Sequence, residues 1–303
     1  MEFLYLLEKI RVPILNEFML LITQLGEETA FLVVAMIVFW CVDKYKGYYI
    51  LSVGFVGTLA NQFLKLWFRI PRPWVLDENF TILEQAREAA SGYSFPSGHT
   101  QSSVGTFGCV AYTTKNRWIR YAAIAVAILG PFSRMYIGVH TPLDVGVAIV
   151  MALALIFIFR PIFLERNRKY IPILLGFMLA IAIAYFCFIS FYKFPADIDA
   201  HNLASGTKNA YTLLGALLGL LVVYIVDEKW LHFPTKAVWW VQCIKVAVGF
   251  VLVLLVKSGL KDVLVQLLGE YPGRAVRYFL IVIVAGILWP LAFKFFSKIG
   301  AKE

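Results

Sequence analysis

Charge is what this sequence has least of. Only 16% of its 303 residues are Asp, Glu, Lys or Arg, against about 25% in a typical soluble domain. A disordered chain is excluded, because such chains are polar and highly charged. Hydrophobic residues make up 60% and the mean hydropathy is +0.75, so a soluble globule, which could not cover itself with polar surface, is excluded too. Cysteine is scarce: Cys41, Cys109, Cys187 and Cys243 each lie alone in an apolar run without a C-x-x-C spacing. They read as buried small hydrophobes rather than as a metal or redox motif. The chain also lacks an HExxH, an EF-hand loop and a paired-carboxylate cluster, so neither a metal nor a cofactor is expected. The opening residues MEFLYLLEKI have no basic n-region, and no cleavable signal peptide is expected.

What is there is a series of apolar runs. A membrane helix needs about 20 predominantly apolar residues, which places spans near 27–43, 47–68, 98–114, 118–135, 142–164, 170–192, 209–226, 237–257 and 276–296. In the first 26 residues, Glu8, Lys9, Arg11 and Glu17 interrupt the apolar positions at helical spacing. That pattern suits an amphipathic helix in the headgroup region or a short, poorly formed span. The expectation is an all-α, polytopic membrane helix bundle.

The formal charge of +9 points to topology and anionic lipid, not nucleic acid, because the basic residues sit between hydrophobic runs. Alternate connections carry Lys44, Lys46, Lys115, Arg117, Arg120, Arg160, Arg166, Arg168, Lys169, Lys229, Lys236, Lys294, Lys298 and Lys302. This denser set in short loops is assigned to the cytoplasm. Segments 69–97, 134–141, 193–208 and 258–275 then share the outer face of a multi-pass protein of the cell membrane.

Three outer-face stretches carry unusual chemistry. In the first, Lys65 lies within about one turn of a helix end, and Arg72 follows between the helix-stopping Pro71 and Pro73. The second is Pro96-Ser97-Gly98-His99. There Ser97 suits a helix N-cap, Gly98 allows close approach of a ligand, and unpaired helix N–H groups attract anions. In the third, Thr141, Pro142 and Asp144 read as a helix start. His140 precedes that turn within reach of the Asp144 carboxylate, which would fix its tautomer and leave the other ring nitrogen as nucleophile or base. Taken singly, each stretch has an ordinary explanation as an interface anchor or a capped helix.

Together they offer three cations (Lys65, Arg72, Arg134), an anion-binding helix terminus, two histidines and an orienting carboxylate, with no matching set of carboxylates for the cations. Cations near the hydrocarbon boundary are expensive unless paired. A phosphate supplied by the substrate is the simplest partner. A non-enzymatic transporter with nine spans would need the cations but not the His140, Asp144 and His99 set.

The strings KLWFRIPRP, PSGH and SRMYIGVHTPLD resemble the three signature motifs of the type 2 phosphatidic acid phosphatase (PAP2) superfamily: K-x6-RP, PSGH and SR-x5-H-x3-D. Every fixed position is matched, and the resemblance covers roughly residues 1–165. Residues 166–303 form a C-terminal transmembrane extension without a motif. The resemblance implies a metal-independent enzyme that hydrolyses a lipid phosphate or a polyprenyl diphosphate through a phosphohistidine. His140 would be the nucleophile, Asp144 its orienting group and His99 the general acid. Lys65, Arg72, Arg134, Ser97 and the Gly98 backbone would hold the phosphoryl oxygens. The implied partners are membrane lipids and the lipid phosphate substrate. A lipid phosphotransferase using the same site is the alternative.

Three further features have plainer readings. Segment 193–208 reads as a solvated loop in preference to a lid, with His201, Asp197 and Asp199 its chemically capable residues. Gly215 and Gly219 form a G-x-x-x-G that suits close helix packing within the chain. Lys245, inside the eighth span, receives no role.

Overall fold

The computed structural model describes residues 1–87, 90, 92–164 and 167–299. Arg166 and Lys302 of the basic set, and the 165/166 division, lie outside the described residues. The helices are α1 (Glu2–Lys9), α2 (Pro13–Gln24), α3 (Glu28–Ile37), α4 (Lys44–Phe68), the single turn α5 (Pro73–Leu76), α6 (Gly98–Thr113), α7 (Arg117–Tyr136), α8 (Pro142–Phe163), α9 (Ile171–Phe191), α10 (Ala200–Val226), α11 (Trp239–Gly259), α12 (Lys261–Leu268), α13 (Glu270–Ile283) and α14 (Phe293–Phe296). No strand occurs among the described residues. The protein is all-α and multi-pass.

Helix occupies each of the nine stretches expected to span, yet not all of them meet the demands of a membrane on their own. Among the described residues, five helical runs are long and apolar enough to cross: Pro142–Phe163, Arg168–Phe191, Ala200–Leu231, Trp239–Leu268 and Glu270–Phe296. A sixth is available if α2 and the run Glu28–Val42, bent by 57° against each other, count as one broken span. The remainder fall short for physical reasons. The 16 residues of α6 rise only about 24 Å, less than a hydrocarbon core of about 30 Å. Helices α4 and α7 are long enough but less apolar, with Thr58, Asn61, Gln62 and Lys65 in α4 and Arg117, Arg120 and Arg134 in α7.

The chain divides into two compact units: residues 1–34, 49–160 and 193–206, and residues 35–48, 161–192 and 207–299. In the first, α6 packs along α7, and Ser103 of α6 fills the space beside Gly130 of α7. Gly57 of α4 leaves room for the Gln101 side chain. Asn116 caps α7 by accepting from Trp118 N at 2.8 Å. The N-terminal helices pack one face on protein, while Leu6, Ile10, Ile14 and Leu21 stay exposed. Leu4 and Met19 are buried, and Arg11 Nε donates to Tyr136 O at 3.0 Å. Met19, Ala86, Tyr136, Ile137 and Val139 form one apolar cluster, with Trp74 and Leu83 against it. Leu4, Phe80 and Ile82 form another, which also meets Trp74. Burial of side chains this large contributes about 1.5–3 kcal/mol each, and it seats segment 69–87 against the end of α7.

In the second unit, Gly215 and Gly219 of α10 face Ala275 and Val282 of α13, so the G-x-x-x-G packs within the chain. Lys245 is buried and donates to Thr235 O at 2.8 Å, its ammonium 4.1 Å from the centroid of the Phe293 ring. It satisfies an irregular stretch of backbone between α10 and α11. The reading of all four cysteines as buried holds for Cys109 only: Cys41 is half-buried, and Cys187 and Cys243 lie exposed on helical faces, where an apolar side chain suits lipid as well as it suits a core.

Candidate active site

The site grows from three chain ends in the first unit. At the first, Arg72 occupies extended backbone before α5, between two prolines. Its side chain is buried, with Nε donating to Gly92 O at 2.9 Å and Nη1 to Val139 O at 2.9 Å. Lys65, in the last turn of α4, donates from Nζ to Tyr93 O at 2.7 Å. Two of the three cations are thus tied to consecutive carbonyls of the segment that leads into α6.

The second is the start of α6. Ser97 is its N-cap, as the sequence suggested, and Oγ accepts from Thr100 N at 3.4 Å. The Ser97 backbone N–H donates to Asp144 O at 3.1 Å, which binds the start of α6 to the start of α8. His99 stands in the first turn, half-buried. Gly26, at the bend between α2 and α3, comes so close that a Cβ there would lie 2.8 Å from His99 O.

The third is the turn 137–141. Thr141 and Asp144 cap α8 reciprocally: Thr141 N donates to Oδ2 at 2.7 Å, and Asp144 N donates to Thr141 Oγ1 at 3.3 Å. The same Oδ2 accepts from Ser94 Oγ at 2.6 Å and lies 3.5 Å from His140 Nδ1, while Ser94 Oγ is 3.3 Å from that nitrogen. On the opposite edge of the ring, Arg72 Nη1 is 2.9 Å from His140 Nε2. A guanidinium only donates, so Nε2 offers its lone pair and Nδ1 carries the proton toward Ser94 and Asp144. Both accounts of Asp144 therefore apply at once: it caps the helix and faces the imidazole.

These ends enclose a cavity of about 380 Å³, lined among others by Lys65, Arg72, Gly98, His99, Arg134 and His140. Six of the eight residues singled out from sequence meet there. Ser97 and Asp144 stand behind the wall, fully or almost fully buried, and the Ser97 hydroxyl serves as a helix cap. Arg134 is also buried. Its Nη1 donates to Thr23 Oγ1 at 2.6 Å, and its Nε has no hydrogen-bond partner among the described residues. Burial, followed by the charges of Arg72, Arg134 and Lys65, holds the His140 ring well below the ordinary histidine value of 6.5, hence neutral. Arg72 is pushed down to about 10 by burial and remains cationic. Among the described residues no three His, Cys, Asp or Glu side chains gather as a metal cage.

Several residues at the site escaped the sequence reading. Ser94 gave no signal, since one serine in a loop is unremarkable. Asn61 of α4 lines the cavity, with Nδ2 donating to Pro96 O at 3.3 Å and Oδ1 buried without a partner among the described residues. A polar amide inside an apolar span was the clue to it. Glu27 and Glu28 stand exposed at the rim, so the cations do have carboxylates nearby, contrary to expectation. The stretch 193–208 is not merely a solvated loop. It turns into α10 at Ala200, and His201, Asn202 and Ser205 line the cavity, whereas Asp197 and Asp199 do not.

Comparison with known proteins agrees with this architecture. The family described as "PAP2 superfamily" matches residues 45–168, and "PAP2 superfamily phosphatase, transmembrane extension" matches residues 211–302. Phosphatidylglycerophosphatase B of Bacillus subtilis (strain 168) is 30% identical over 174 residues, 53% of this chain and 81% of that protein. Undecaprenyl-diphosphatase BcrC of the same organism is 32% identical over 106 residues, 35% of this chain and 52% of that protein. Sphingosine-1-phosphate phosphatase 1 of Mus musculus is 25% identical over 278 residues, 84% of this chain and 62% of that protein. The chain thus spans about half of BcrC and under two thirds of the mouse protein. No solved structure matches it. With the three motifs converging on one cavity and both family regions accounted for, the chain belongs to the PAP2 superfamily.

Proposed function

We propose that this protein is an integral-membrane phosphatase that hydrolyses a lipid phosphate or a polyprenyl diphosphate through a phosphohistidine at His140. One observation carries the reading: His140 presents an unprotonated Nε2 to a cavity walled by Lys65, Arg72 and Arg134, with Ser94 and Asp144 behind the other ring nitrogen. Phosphoryl transfer demands mainly positioning and stabilisation of charge on the equatorial oxygens, and three cations beside a helix N-terminus supply both.

In the first step Arg72 Nη1 passes from Nε2 to a phosphoryl oxygen, and the freed lone pair forms a bond to phosphorus while the bond to the leaving oxygen breaks. His99, neutral while the cavity holds only the cations and protonated once the phosphate's negative charge enters, gives its proton to that oxygen. The imidazole becomes positively charged, and Asp144 stabilises it. In the second step a water molecule, giving its proton to the now neutral His99, bonds to phosphorus as the P–N bond breaks. Inorganic phosphate leaves, and both histidines return to their starting states. The relatives, a phosphatidylglycerophosphatase, an undecaprenyl-diphosphatase and a sphingosine-1-phosphate phosphatase, support an amphiphilic substrate whose tail stays in lipid. The density of basic residues in the short alternate loops supports a cavity on the extracytoplasmic side of the cell membrane.

The test is phosphate release by the purified protein from a panel of these lipid phosphates, in excess EDTA, beside His140→Ala. Turnover in chelator by the wild type, and none by the variant, is expected. Loss of activity in EDTA with recovery on adding magnesium would sink the metal-independent mechanism. Transfer of labelled phosphate to a lipid or sugar in place of water would make the protein a phosphotransferase.

A further inference from the structure

Two cations of the proposed phosphate site owe their positions to a residue far along the chain, outside the stretch that matches the PAP2 superfamily core. Lys65 Nζ and Arg72 Nε donate to the carbonyls of Tyr93 and Gly92. The two-residue segment that bears those carbonyls is itself held from behind. Tyr93 N donates to Asn202 Oδ1 at 3.0 Å. At Gly92 the backbone has a φ of +82°, and the Asn202 carboxamide occupies the space a Cβ would take. Only glycine satisfies both conditions. Asn202 is in turn fixed by Asp199, the cap of α10: Asp199 Oδ1 accepts from Asn202 N at 2.7 Å and from Nδ2 at 2.9 Å. The link closes where Asp199 N donates to Tyr93 Oη at 3.1 Å. Asn202 is 9% exposed and lines the cavity.

We propose that Asn202, braced by Asp199, is a positioning residue of the phosphate site: it clamps the segment Gly92-Tyr93 so that the carbonyls of these two residues aim Arg72 and Lys65 into the cavity. The proposal rests on the reading of that cavity as a phosphate site. Asn202 acts through the cations and need not touch the substrate. Without the clamp, the peptide N–H loses its partner and the segment gains freedom to tilt both carbonyls at once. The tertiary amide contact thus makes the start of α10 a working part of the active site and not only the beginning of the following span.

The experiment measures orthovanadate, a tetrahedral oxyanion, binding to the purified full chain by calorimetry, with thermal stability recorded alongside. Wild type should bind, and Arg72→Ala should not. Failure of the wild type to bind would overturn the phosphate-site reading itself. Asn202→Ala should weaken binding by about tenfold or more, the size expected when a buried donor loses its partner. A folded Asn202→Ala that binds orthovanadate as the wild type does, with only its thermal stability lowered, would overturn the inference. Should Asn202→Ala not fold, a charge exchange decides. Asn202→Asp keeps an acceptor for Tyr93 N but sets two carboxylates together, whereas the pair Asp199→Asn with Asn202→Asp restores a donor between them. Weak binding by the single variant and recovery in the pair is expected; equal affinities in the two would count against the clamp.

Discussion

Asp144→Asn separates two roles that the structure assigns to one carboxylate. Oδ2 accepts from Thr141 N and Ser94 Oγ and faces His140 Nδ1, all on a single oxygen. An asparagine with its carbonyl in that place keeps each contact and the helix cap while removing the charge. In the resting state His140 is neutral, so the charge does little. In the proposed phosphohistidine the ring is positive, 3.5 Å from Oδ2. At an effective dielectric of about 20, a unit charge pair at that separation is worth about 5 kcal/mol. The two other donors already draw on this oxygen and the amide retains a dipole, so about 3–4 kcal/mol is the expected loss, or roughly 10²–10³ in rate. Steady-state kinetics on a short-chain lipid phosphate in mixed micelles, with an acid-quenched phosphoenzyme burst, reads it. Both kcat and kcat/KM should fall together with KM little changed, the sign of an interaction made in the transition state. A folded variant whose kcat stays within about fivefold of wild type would show that Asp144 is only a helix cap, and the reasoning would fail.

Arg134→Lys should weaken orthovanadate binding and kcat/KM by about tenfold or more, because the donors of an ammonium radiate from one nitrogen and cannot copy a planar guanidinium that holds Thr23 Oγ1 while lining the cavity; a lysine variant with wild-type affinity would contradict this. Acidification gives a further check. The His140 ring is held below 6.5 in the folded protein, so as pH falls past that value the unfolded chain takes up a proton that the native one refuses. The contribution is whole above the ordinary value and is lost as pH falls toward the folded one. Wild type should therefore lose more stability on acidification than His140→Gln, measured by thermal unfolding in detergent, and parallel losses would refute the assignment.

Much of the site was legible because its chemistry is local. Ser97 caps α6, and Thr141 with Asp144 caps α8, by rules that act within a few residues. Cationic Lys65, Arg72 and Arg134 among apolar runs advertise an anion wherever the fold takes them. Span placement was legible too, since helix forms at every stretch with the right apolar length. Span counting was less so: whether the short α6 crosses a bilayer depends on its packing against α7 and α4, which a run of letters does not record.

The sequence alone therefore determined that this is an all-α membrane protein and which histidines, cations and carboxylate have the chemistry for a phosphoryl group. Those properties belong to side chains and to helix periodicity. Tertiary structure decided what each group faces. Only the fold sets Ser94 against Asp144, pairs Arg72 with the open edge of His140, and brings Asn202 back across more than a hundred residues to clamp Gly92 and Tyr93. Such contacts leave no spacing in the chain, because a hydrogen bond is specified by where two atoms arrive and not by how many residues separate them.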